Sequence, residues 1–287
     1  MSTVPSVPAP ATSTSTSTST STSTSTSTST STSTSTSTST STSTALNLLR
    51  SEGIKLATLR SLWFTPVLAA LLTVGLTTAV GAALGGKDHS LTDDPGVGLY
   101  YGLNFGQAAL VCFGVLLIGQ EFNTRMITVS LTAVPRRGLF YGGKLAVGAL
   151  VALAVGLIGT AGSFAGYAAT TPGAWDGPAL ARSATAGVLY PVLLVVFCIG
   201  ATALLGNLTA AMGLLVPTVF LLSPLLSGVP GARSVVQFLP DRAGQYALHY
   251  ADNPQVVYGH WTGLLIMAGW AAAAAYGGLR ALRRAEF

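Results

Sequence analysis

Six apolar stretches fill the chain between Leu62 and Leu279, and none carries a charge near its middle. They run at about 62–84, 98–119, 145–167, 184–205, 210–226 and 261–279. An apolar run of about 20 residues crosses the roughly 30 Å hydrocarbon core of a bilayer as a helix. The pattern therefore predicts an all-α integral membrane protein, with six transmembrane helices forming one domain over residues 62–287. Pro66 falls in the first turn of the first span, where a missing N–H costs little. Pro191 and Pro217 lie inside the fourth and fifth. Gly206-Asn207 forms a very short turn between those two, and a long segment, 227–260, precedes the last.

Two segments come before the first span. Over residues 45–61, Leu48, Leu49, Leu56, Leu59 and Trp63 fall on one helical face, while Asn47, Ser51, Thr58 and Ser61 fall on the other. Glu52 interrupts the apolar face. The reading is an interfacial amphipathic helix. Residues 1–44 form a Ser/Thr low-complexity tail, alternating strictly from Ser13 to Thr44 after a Pro-rich start. No side chain in the repeat can bury area, so it is expected to be disordered. It has neither the charged start nor the apolar core of a signal peptide.

Composition agrees with a lipid environment. Apolar residues make up 49% of the chain and charged residues only 8%, against about 25% charged in a soluble domain. The net charge of +5 is carried at span ends, which suits lipid headgroups and not nucleic acid. With the N-terminus inside, the inner segments hold ten basic residues: Arg50, Lys55, Arg60, Arg125, Arg136, Arg137, Lys144, Arg280, Arg283 and Arg284. The outer segments hold four: Lys87, Arg182, Arg233 and Arg242. This bias places both termini in the cytoplasm. Cys112 and Cys198 fall inside spans and read as small apolar fillers.

Candidate chemistry is sparse. Gly81 to Lys87 and Gly138 to Lys144 both fit G-x-x-x-x-G-K, but neither is followed by the Ser or Thr that would ligate magnesium. The chain is not expected to bind ATP or a metal itself. His89, His249 and His260 are dispersed. Asp93-Asp94, Asp241 and Asp252 read as solvated loop carboxylates. Gly102 to Gly106 and Gly162 to Gly166 are small-xxx-small patterns, which a chain with 33 glycines would produce by chance. Asn104 and Gln107, inside the second span, either bond across helices or line a polar path. No titratable group stands at mid-membrane to couple transport to an ion gradient. The loop from Gln120 to Gly143 is polar and basic. On its residues alone it is either a docking surface for a soluble protein or a basic membrane anchor.

The order of motifs resembles ABC-2 type transporter permeases, in particular the single-chain permeases of actinobacteria. The matching residues are Glu52-Gly-Ile-Lys55, then Gly119-Gln-Glu121 through Thr124-Arg125 to Leu131-Thr-Ala-Val-Pro135-Arg136-Arg137, and Lys144. Leu239-Pro240 with Ala243-Gly244, Trp261-x-Gly263, Trp270 and Arg283-Arg284 complete it. Gly53 replaces a common aromatic, and the Ser-Thr tract is foreign to the family. The resemblance implies a separate ABC ATP-binding subunit, holding ATP and magnesium and docked on Glu121, Thr124, Arg125, Leu131, Pro135, Arg136 and Arg137. It implies a second permease chain, identical or not, with substrate passing between the two and Asn104 and Gln107 as candidates for the path. It implies that Glu52 and Lys55 belong to the interfacial helix, and that residues 235–244 form a short re-entrant or external helix. The implied function is the membrane subunit of an ATP-driven exporter of an amphiphilic or hydrophobic substrate in a bacterial cell membrane. This chain would not be the enzyme. A membrane-embedded enzyme and a structural or sensory membrane protein are the alternatives.

The charge bias makes the topology testable. A cysteine placed at Ala251 is expected to react with an impermeant maleimide added to intact cells. One placed at Thr132 is expected to react only after permeabilisation, and labelling of Thr132 from outside would overturn the orientation.

Overall fold

The computed structural model describes residues 60–84, 94–124, 137–170, 177–222, 225–226, 229, 233–254 and 256–284. The Ser-Thr tail and residues 45–59 of the expected interfacial helix lie outside this set. Among the described residues the elements are α1 (Arg60–Leu84), α2 (Pro95–Leu99), α3 (Leu103–Asn123), α4 (Arg137–Thr170), α5 (Gly177–Leu205), α6 (Leu208–Pro217), α7 (Arg233–Val236), α8 (Pro240–Tyr246) and α9 (His260–Arg284). Five of them, α1, α3, α4, α5 and α9, are long and apolar enough to cross a membrane.

The fifth predicted span departs from expectation. It is a shorter apolar helix, Leu208–Leu221. Pro217 cannot donate to the carbonyl one turn back, and the ladder passes into a π-turn at Thr218–Leu222. The turn before it follows from its two residues. Gly206 ends α5 at φ +60°, where only glycine is unstrained. The Asn207 side chain then caps α6, accepting from the Ala210 N–H at 3.1 Å.

Two other boundaries move. α1 already runs at Arg60, so Pro66 stands in its second turn instead of its first. α4 begins at Arg137, not near Leu145, and continues for 34 residues. That is about 51 Å of helix, well beyond the hydrocarbon core. The phosphate-loop-like Gly138 to Lys144 is therefore helical instead of a loop.

α3 is the most enclosed long helix. It packs against α1, α5 and α6, while α5 also carries α4 and α9 on its flanks. Large apolar side chains such as Phe64, Leu71, Leu150, Ile158 and Leu265 remain exposed along α1, α4 and α9. In water these would form a costly apolar belt, but in a bilayer they face lipid.

Both glycine patterns form close contacts with α1. A Cβ at Gly102 or Gly106 would collide with Thr73, and one at Gly106 would also approach the Ala69 carbonyl to 2.9 Å. A Cβ at Gly162 would lie 2.6 Å from Val74, and one at Gly166 would collide with Thr78. α1 is thus gripped by the glycine edges of α3 and α4. The threonines at these contacts are not left polar in lipid. Thr73 and Thr78 donate to the carbonyls four residues back at 2.7 and 2.8 Å, and Thr77 Oγ1 accepts from the Gly102 N–H at 3.1 Å.

Enlarging one of these glycines is expected to force the helices apart. Gly106→Leu should destabilise the detergent-solubilised chain by about 1–3 kcal/mol, the usual cost of overpacking. Gly75→Leu, whose Cβ meets nothing within 4 Å, should leave thermal unfolding unchanged. Equal melting of the two variants would show that the close approach carries no stability.

Candidate functional site

The two ends of the helix bundle hold different polar assemblies. At the end where α3 finishes and α4 begins, Glu121 Oε1 lies 2.8 Å from Lys144 Nζ, with side chains 12% and 5% exposed. Lys144 also stands 5.9 Å from the centre of the Phe140 ring. The placement follows from helix geometry: Glu121 is in the last turn of α3, and Lys144 lies two turns into α4. Burying two charges is costly, and their attraction repays it only when both are present. Loss of one partner leaves an uncompensated charge.

Two turns before Lys144, Arg137 reaches the C-terminal end of α9. Its Nη1 donates to the Leu282 carbonyl at 2.7 Å and approaches that of Arg283 at 3.3 Å. These are carbonyls that a helix end leaves without an internal partner. Thr124 caps α3 and is exposed, its hydroxyl donating to the Gln120 carbonyl at 2.8 Å. The start of α4 thus ties α3 to α9 beside the segment 125–136. Arg125, Leu131, Pro135 and Arg136 lie outside the described residues, as do Glu52 and Lys55. Glu121's partner here is Lys144, a residue sequence reasoning placed at the loop edge. A lysine one helical turn beyond Phe140-Tyr141, on an otherwise apolar helix, was the signal.

At the opposite end, the segment carrying α7 and α8 closes over the helices. Gln107 is buried, and its Oε1 accepts from the Tyr190 hydroxyl at 2.6 Å and from Gln245 Nε2 at 2.8 Å. It therefore joins α3, α5 and α8, which is the bonding role of the two open to it. Asn104 is exposed and lines a polar cavity of about 210 Å³ with Tyr100, Arg242, Gln245 and His249. Asp241 is not a solvated loop carboxylate. It is 1% exposed and lies 3.8 Å from Arg242 Nε. Asp252 is 90% exposed, beside His260 at 3.4 Å.

Asp94 also has a structural role. One carboxylate oxygen accepts from the N–H of Gly96 at 2.8 Å, capping α2, and from that of Tyr250 at 3.0 Å. The other lies 3.1 Å from His249 Nδ1. Arg182 Nη2 donates to the carbonyls of His249 and Tyr250 at 3.0 and 2.9 Å. Burial alone would raise the Asp94 pKa, but the bonds from His249, Gly96 and Tyr250 outweigh it and hold it below 3.8. Among the described residues no group of His, Cys, Asp and Glu is placed to hold a metal ion.

No family model and no curated protein matches the chain.

The Asp94 contacts carry a pH signature. A carboxyl whose folded pKa is depressed stabilises fully above its unfolded value and loses that contribution as pH falls through the folded one. Thermal stability followed from about pH 5 down to about pH 2 should therefore drop below about 3.8. Asp94→Asn should lower stability near pH 5 and flatten the acid slope. An unchanged slope in that variant would remove Asp94 as the acid-sensitive group.

Proposed function

We propose that the chain is the membrane-spanning permease subunit of an ATP-driven exporter of the ABC-2 type. In this reading six spans cross a bacterial cell membrane, with Leu208–Leu221 as the short fifth, both termini inside, an interfacial helix before α1 and a disordered Ser-Thr tail. A separate ATP-binding subunit docks on the loop containing Arg125, Leu131, Pro135 and Arg136, flanked by Glu121, Thr124 and Arg137. A second permease chain completes the path, and the cargo is amphiphilic or hydrophobic. The chain itself transfers no phosphoryl group.

The observation that supports this most is the Glu121–Lys144 pair. It bridges the two helices that enter and leave the docking loop. A force on the loop reaches α3 and α4 together, and through Arg137 it reaches α9 as well. Differential binding of ATP by the partner subunit to two arrangements of these helices would supply the drive.

Charge reversal tests the coupling. Glu121→Lys places two ammonium groups together in a buried site, a loss of about 3–5 kcal/mol by the usual cost of an uncompensated buried charge. It should abolish substrate efflux and transport-linked ATPase activity in vesicles holding both subunits. The exchanged pair, Glu121→Lys with Lys144→Glu, should recover a substantial part of both. Wild-type rates in the single variant would refute the role.

A further inference from the structure

Arg280, Arg283 and Arg284 close α9 with three guanidiniums on one side. At about 100° per residue they fall with Tyr276 inside an arc of about 100°, and all four side chains are exposed. Among the described residues none of the three arginines pairs with a carboxylate. Glu286 is the only acidic residue in the sequence after Asp252. Three arginines less one glutamate still leave two positive charges unbalanced.

The helix end does not absorb them. The carbonyls of Leu282 and Arg283, where a cation would ordinarily settle, already accept from Arg137. Arg283 reaches over the start of α4, where a Cβ at Gly138 would lie 3.5 Å from its Nη2. The first turn of α4 holds no acidic residue, and the Glu121 carboxylate at this end is held by Lys144.

Toward the middle of the bundle the same face of α9 turns apolar and flat. Tyr276 is 64% exposed, one turn before Arg280. Ala273, Ala272 and Gly269 continue the exposed stripe, and a Cβ at Gly269 would meet nothing within 4 Å. Gly269 to Tyr276 is about 10 Å of helix, inside the roughly 15 Å depth of one leaflet's hydrocarbon. A phenol at the inner edge of such a stretch suits the headgroup boundary. The groove of about 580 Å³ between α4 and α5, lined by side chains such as Leu157, Phe164 and Leu189, offers an acyl chain no charge. On α9 the charge and the apolar surface are continuous.

This face requires an anionic occupant. A second copy does not supply one: two-fold pairing within one membrane would set two arginine clusters side by side at the same end, which like charges oppose. We infer that the face binds one anionic phospholipid of the adjoining leaflet. Its phosphate lies between Arg280 and Arg284, which stand one turn apart, with Arg283 adding to the field. Its glycerol lies against Tyr276 and an acyl chain runs along Ala273 and Ala272. The inference depends on neither transport nor a partner subunit.

The test is native mass spectrometry of the full chain released from micelles, titrated with phosphatidylglycerol and with phosphatidylcholine of the same acyl composition. The two lipids share a phosphate and differ in net charge. An arginine near an anionic surface is worth about a fivefold factor in binding. Phosphatidylglycerol should therefore bind about 25-fold more tightly, through two arginines. Arg280→Gln should cut the preference by about fivefold. Arg280→Gln with Arg284→Gln should remove nearly all of it and leave phosphatidylcholine binding in place, whereas Arg280→Lys with Arg284→Lys should retain it. If the double glutamine variant does not accumulate, Arg280→Gln decides alone. No preference in the wild type, or one that survives the glutamine variants, would overturn the site. So would a disulfide-linked dimer of Ala272→Cys chains formed without added lipid and absent from the wild type, which would assign the face to a second copy.

Discussion

Helices already surrounded by hydrocarbon gain little by hiding apolar surface against one another. They cohere by bringing backbones close enough for dense packing, and by giving every polar group a partner inside the protein. The grip on α1 shows the first requirement. Gly102 just before α3, Gly106 on α3 and Gly162 and Gly166 on α4 let the backbone of α1 approach where any larger residue would collide. The second is met at the same contacts, because the Thr73, Thr77 and Thr78 hydroxyls are all hydrogen-bonded. Without the first, α1 would be a lipid-facing helix with nothing to fix its position.

Polar satisfaction then divides between the two ends in different chemical forms. At one, the Glu121–Lys144 pair and the Arg137 guanidinium hold three helix termini together. At the other, amide, phenol and carboxylate groups form a denser set in which Gln107, Asp94 and Arg182 each serve more than one partner. A network of shared acceptors resists, since moving one member leaves several groups unpaired.

The long helices were legible because about 20 apolar residues in a row leave few alternatives. The Gly206-Asn207 turn was legible too, since local chemistry alone fixes it. What escaped were features set by residues far apart in the chain. Asp241 looked like any loop carboxylate, because nothing near it in sequence shows that α8 folds back against α5 and α9. The start of α4 looked like a loop because glycines and a lysine argue against a buried helix. That objection disappears once Glu121 neutralises Lys144. The glycine pairs were visible but indistinguishable from chance in a chain with 33 glycines. The apolar run over 210–226 did not show that the helix shortens to Leu208–Leu221 with a π-turn after Pro217.

α4 is where these strands of argument meet. Its first turn caps α9, its second turn neutralises Glu121, its glycine edge receives α1, and its far half walls the apolar groove with α5. A helix of 34 residues extends about 20 Å past the hydrocarbon core. A tilt applied at Arg137 would therefore displace both its contacts with α1 and the groove walls. Under the proposed function, force arriving through the loop at residues 125–136 acts first on this helix. The ion pair decides whether α3 moves with it, and the direct packing of α4 on α5 decides whether α5 does. Coupling would then be set by two separable contacts on one rigid element, one electrostatic and one apolar.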